Sequence, residues 1–134
     1  MTDHRIRLRR GWELLNPGDS SAPRILALPL TEFPEWPAPR QRLGRWFNAP
    51  PYDPIRETLW LQLTAVTGLL SIRVNDREIA ASPFPEEPFT FSLADRLQNR
   101  NQLILDVDLA ATGRPVSNFF WGDIALLIQP RDSD

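Results

Sequence analysis

Phe89-Thr-Phe-Ser-Leu-Ala-Asp-Arg-Leu97, followed after a short spacer by Asn101-Gln-Leu-Ile-Leu-Asp-Val-Asp-Leu109, is the stretch that decides the fold. Phe89, Phe91 and Leu93 alternate with Thr90 and Ser92, the period of two that turns one face of a strand to a core and the other to water. Ser92 followed three residues later by Asp95 is a capping-box-like pattern, and it predicts a single helical turn near 93–97. Leu103, Leu105, Val107 and Leu109 then give a long alternating strand.

The pattern continues in both directions. Upstream, in Leu59-Trp-Leu-Gln-Leu-Thr-Ala-Val66, residues Leu59, Leu61, Leu63 and Ala65 share one face and Trp60, Gln62 and Thr64 the other. Gly68 ends that strand. Leu70, Ile72 and Val74 form the next inward face, and Asn75-Asp76 suits the left-handed backbone of a tight turn before Glu78-Ile79-Ala80 returns. Downstream, Thr112-Gly-Arg-Pro115 marks a connection to a last strand with Phe120, Gly122, Ile124, Leu126 and Ile128 inward.

The first half is less regular. Ile6 and Leu8 alternate with Arg5, Arg7 and Arg9, predicting a half-buried strand whose arginines read as a solvated face ahead of an anion site. Asn16-Pro17-Gly18-Asp19 is turn chemistry, and Ile25-Leu-Ala-Leu28 reads as a short buried strand. From Pro29 to Pro54 the chain is Pro-rich and aromatic, with one strand at Gly44-Arg-Trp-Phe-Asn48. A connection this long is often functional or ordered by its own side chains.

Eight or nine short strands with one helical turn define an all-β chain and a β-sandwich or jelly roll. A small closed barrel is the runner-up, because alternation does not separate two packed sheets from one rolled sheet. The 134 residues form a single domain over 1–134, with 1–4 and 131–134 expected to be flexible. That length excludes a sandwich plus a catalytic barrel of about 250 residues.

Composition removes further classes. A net charge of −2 gives no overall attraction to nucleic acid or to anionic membranes. All fifteen basic residues are Arg, which base composition explains as readily as a need for planar donors. There is no Cys and the lone His4 is N-terminal, so neither thiol chemistry nor a His-based metal cluster is expected. No apolar run follows the basic N-terminus, so a cytoplasmic location is the default, or an extracytoplasmic one if a leader has been trimmed. No segment has the length of a membrane span.

Leu59-Trp-Leu-Gln-Leu63, the Gly before the next strand, Val74-Asn-Asp76, and Pro88-Phe-Thr-Phe-Ser-Leu-Ala-Asp-Arg-Leu97 ahead of Asn101-Gln-Leu-Ile-Leu-Asp-Val107 form one set of motifs, with Arg45-Trp-Phe-Asn-Ala-Pro50 and Trp121-Gly-Asp-Ile124 at the ends. On these motifs, residues Arg45 to Ile128 resemble the N-terminal sugar-binding-like jelly roll of glycoside hydrolase family 2 enzymes, which has the galactose-binding-domain-like fold. That family usually has Val-Asn-Gly where this chain has Val74-Asn-Asp76. The resemblance implies an accessory, non-catalytic domain, since the family's catalytic carboxylates lie on a separate barrel.

A sugar site needs flat apolar faces for the ring's C–H surface and fixed polar groups for its hydroxyls. Trp36, Trp46, Tyr52 and Trp121 are the candidate faces, and Arg45 and Asn118 the candidate donors; core packing is the competing role for each aromatic. Asp106 and Asp108 share a strand face and Glu86-Glu87 sit in a Pro-bounded loop. They are weighed as calcium ligands or an acid–base pair against ordinary solvent-facing charges, and the last is preferred. No catalytic residue, metal or cofactor is therefore expected. The expected function is a galactose-binding-like module that is carbohydrate-binding or accessory. The alternative is a protein-interaction or assembly module using the Pro29–Pro54 segment.

Overall fold

The computed structural model describes residues 3–15, 24–32, 40–109 and 119–131. Among these residues lie ten strands: β1 (His4–Arg7), β2 (Trp12–Leu15), β3 (Arg24–Leu26), β4 (Arg40–Asn48), β5 (Glu57–Thr64), β6 (Leu69–Val74), β7 (Arg77–Ala81), β8 (Phe89–Ser92), β9 (Arg100–Asp108) and β10 (Asp123–Pro130). They form two antiparallel sheets, β1-β10-β5-β8 and β3-β2-β4-β9-β6-β7. The protein is a β-sandwich and not a single rolled sheet. No helix of the described residues is long and apolar enough to cross a membrane.

The core follows the alternation. Leu59, Leu61 and Leu63 of β5 and Ile124, Leu126 and Ile128 of β10 join Leu43 and Phe47 of β4 and Leu103, Leu105 and Val107 of β9 in one buried cluster. Burying a side chain of this size contributes about 1.5–3 kcal/mol. β10 is buried on both faces, since Ala125 and Leu127 are covered as well.

Departures from strict alternation have local causes. In β6 the inward residue is Leu69 instead of Leu70, because register shifts next to Leu69 and again between Ile72 and Arg73 break the period of two. Ile25 is 74% exposed and not buried: β3 is a three-residue edge strand, in which Leu26 packs half-buried against the core while Leu28, beyond its end, enters it. Phe120 is likewise half exposed, because Gly122 at φ +93° turns the chain before β10 begins at Asp123. The turn near 93–97 closes with the Arg96 N–H donating to Leu93 O at 3.1 Å, and Asp95 at φ +63° makes it a reverse turn without helix. His4 opens β1 opposite Ile128.

The largest correction concerns the Pro-rich segment. Its second part is β4, nine residues long and central in its sheet between β2 and β9. Arg40, Gln41 and Arg42 interrupt the apolar pattern and conceal its first half. Gln41 is nevertheless buried, and the Arg42 Nε donates to Asp106 Oδ1 at 2.8 Å on the facing strand.

Candidate functional site

The unequal lengths of β2 and β4 leave a concavity beside β4. β2 pairs with β4 only over Arg42, Leu43 and Gly44, so Arg45 to Asn48 lie beyond its reach. Nearby the chain leaves β1 in one sheet and reaches β2 in the other through Leu8–Gly11, with Gly11 at φ +83° beside Arg45. Between them opens a depression of about 620 Å³, within the range of small-molecule sites. Buried Leu8, Phe47 and Leu126 supply its apolar floor, and Arg7, Asn48 and Arg100 are exposed around it.

Arg45 is held in place by the backbone. Its Nε donates to Arg10 O at 2.6 Å and its Nη1 to Trp46 O at 3.0 Å. Burial pulls the guanidinium below the ordinary arginine value, yet an arginine remains cationic in a protein. Trp46 is 48% exposed, and the Arg100 guanidinium carbon lies 4.8 Å from its ring centroid. That cation–π contact is worth about 0.5–1 kcal/mol at an exposed position. It also means that part of the indole face carries a cation.

Of the residues picked from sequence, Arg45 and Trp46 meet in this depression. Tyr52 packs half-buried against the core and is not among the described lining residues. Trp121 is 1% exposed, with its indole Nε1 donating to Thr67 O at 2.7 Å; it fills the sandwich and offers no open face. Trp36 and Asn118 fall outside the described residues. Arg7, Asn48 and Arg100 were missed because residues so far apart in sequence meet only once β1, β4 and β9 are assembled. The one local signal was the alternation of Arg7 with Ile6 and Leu8.

The carboxylates have structural partners. Glu87 accepts hydrogen bonds from the N–H groups of Ala65 at 2.7 Å and Val66 at 2.9 Å, tying its loop to the end of β5. For Asp106, burial alone would raise the carboxyl. Hydrogen bonds from Arg42 and Ser71, with the charges of Arg42 and Arg73, instead hold it below the usual aspartate range. Among the described residues no three His, Cys, Asp or Glu side chains converge as metal ligands. The described lining of the depression contains no carboxylate, imidazole, thiol or hydroxyl, so it offers cations and an apolar floor but no group to move a proton at neutral pH.

No family model and no curated protein matches the sequence. Solved structures do match the fold. An FMN-binding β-glucuronidase from Faecalibacterium prausnitzii L2-6 superposes with TM-score 0.70 and 17% identity over 94% of this chain and 22% of that one. The β-D-glucuronidase of Dictyoglomus thermophilum gives 0.70 and 12% over 97% and 28%. A Ruminococcus gnavus β-glucuronidase in complex with an N1-substituted uronic isofagomine gives 0.64 and 13% over 96% and 30%. This chain thus spans between a fifth and a third of those enzymes, and it has the fold of one all-β part of them. The resemblance read from the residues holds at the level of the fold.

Proposed function

We propose that this protein is a non-catalytic, galactose-binding-like module that binds carbohydrate or serves as an accessory domain. The supporting observation is that nearly the whole chain matches a minor part of carbohydrate-active enzymes, while the depression beside β4 pairs Trp46 and Arg45 without any acid–base group. In this reading Trp46 and the apolar floor contact the ring and Arg45 reads its oxygens. The test is a glycan array followed by calorimetry on the 134-residue chain. Millimolar or tighter binding of a saccharide, lost in Trp46→Ala, supports the carbohydrate-binding half of the reading; no saccharide binding up to millimolar concentration overturns that half and leaves the accessory role.

The second reading is a protein-interaction or assembly module using the Pro29–Pro54 segment, in which Trp46 stands 48% exposed. Under it the chain self-associates or binds a partner protein, which light scattering and cross-linking detect; a strictly monomeric chain without a partner counts against it.

A further inference from the structure

Three guanidinium groups brought from remote points of the sequence line one depression: Arg7 of β1, Arg45 of β4 and Arg100 at the start of β9. No carboxylate stands among its described lining residues. The two ion pairs among the described residues, Arg42–Asp106 and Arg56–Asp53, involve none of the three. This local excess of positive charge runs against the composition of the chain, in which 17 acidic residues outnumber 15 basic ones. One of the three, Arg45, is fixed by two backbone carbonyls.

The geometry also leaves donors for a ligand. A guanidinium has five N–H groups; Arg45 spends two of them on Arg10 O and Trp46 O, which fixes the orientation of the rest. Arg100 is likewise steadied by its seat on the Trp46 ring. Partial burial penalises the Arg45 cation. An anionic group in the depression offsets that cost. The floor of Leu8, Phe47 and Leu126, with Pro50 beside it, is apolar and suits the C–H face of a ring more than a free inorganic ion.

We infer that the depression binds an anionic saccharide, a sugar ring bearing a carboxylate or a sulfate, with Arg7, Arg45 and Arg100 around the charged group and the apolar floor under the ring. This rests on the carbohydrate reading above and specifies its ligand. Charge-assisted hydrogen bonds to planar guanidinium forks supply the discrimination against neutral sugars.

The test is a calorimetric and NMR titration of the full chain with two matched pairs: methyl glucuronide against methyl glucoside, and galactose 6-sulfate against galactose. Sodium sulfate serves as the bare anion. The charged member of at least one pair is expected to bind at least about tenfold more tightly than its neutral counterpart. That advantage should fall in Arg7→Gln and Arg100→Gln, both at exposed positions, with the melting temperature checked against wild type. Which pair responds identifies carboxylate or sulfate. Equal binding of charged and neutral sugars overturns the anionic inference and leaves the carbohydrate reading standing. Binding of sulfate alone, or of none of these probes, overturns the anionic inference, and the glycan array then decides the carbohydrate reading separately.

Discussion

Asn101 is completely buried, and its amide is used from both ends. Its Oδ1 accepts from Asn75 Nδ2 at 2.9 Å and from Gln98 N at 2.7 Å, while its Nδ2 donates to Gln98 O at 2.9 Å. Asn75 in turn accepts from Gln102 N at 3.0 Å and donates to Arg96 O at 3.2 Å. The two asparagines bind the β6–β7 turn to the chain entering β9. Asn101→Ala leaves several of these groups unpaired in the interior and is expected to cost about 2–4 kcal/mol, measured by urea unfolding. The turn itself has Asn75 at φ +52° and Asp76 at φ +66°, the paired left-handed residues of a type I′ hairpin. Asp76→Gly relieves the side-chain strain of that geometry and should stabilise the protein by about 0.5–1 kcal/mol in the same assay. Both asparagines were readable as turn and strand-start residues; their mutual hydrogen bond was not, because it joins positions 26 apart.

The β4–β9 pair runs the full length of both strands, from Arg40 opposite Asp108 to Asn48 opposite Arg100. Across it, Asp106 accepts from Arg42, and from the other side it accepts from Ser71 of β6; its carboxyl titrates lower in the folded chain than the usual aspartate value of about 3.9. A depressed folded value means stability that is present in full above the unfolded value and is lost as pH falls through the folded one. The stability gap between wild type and Asp106→Asn should therefore be constant at neutral pH and narrow below about pH 4, as followed by urea midpoints across pH. Strand β5 was legible because its apolar residues alternate cleanly, and β9 and β10 because Leu103, Leu105 and Val107, and Ile124, Leu126 and Ile128, keep one face apolar throughout. β4 was half concealed because its polar residues are matched by a facing strand, and no local pattern encodes that match. β6 misled by one residue where bulges interrupt the pleat.

At the scale of the molecule, the sandwich was legible from strand number and alternation, whereas the depression was not. It arises where a four-residue strand fails to cover a nine-residue neighbour, a property of assembly and not of any segment. Its described lining lacks groups for general acid–base chemistry, and under the non-catalytic reading the 134-residue chain alone is expected to leave an aryl β-glucuronide intact. A chromogenic assay reads this directly, and release above the spontaneous rate that survives rigorous purification would contradict the non-catalytic reading.

The pairing of β4 with β9 has a consequence for how the protein is made. The neighbour of β4 on its longer side, β9, follows only after the four strands β5 to β8, so Leu43 and Phe47 emerge during synthesis with no sheet partner there. At about 5–20 residues per second, that interval lasts about 3–10 s. Through it, nascent chains expose an apolar strand that can pair with one another, and chaperone supply during translation should govern yield more than the stability of the finished sandwich does.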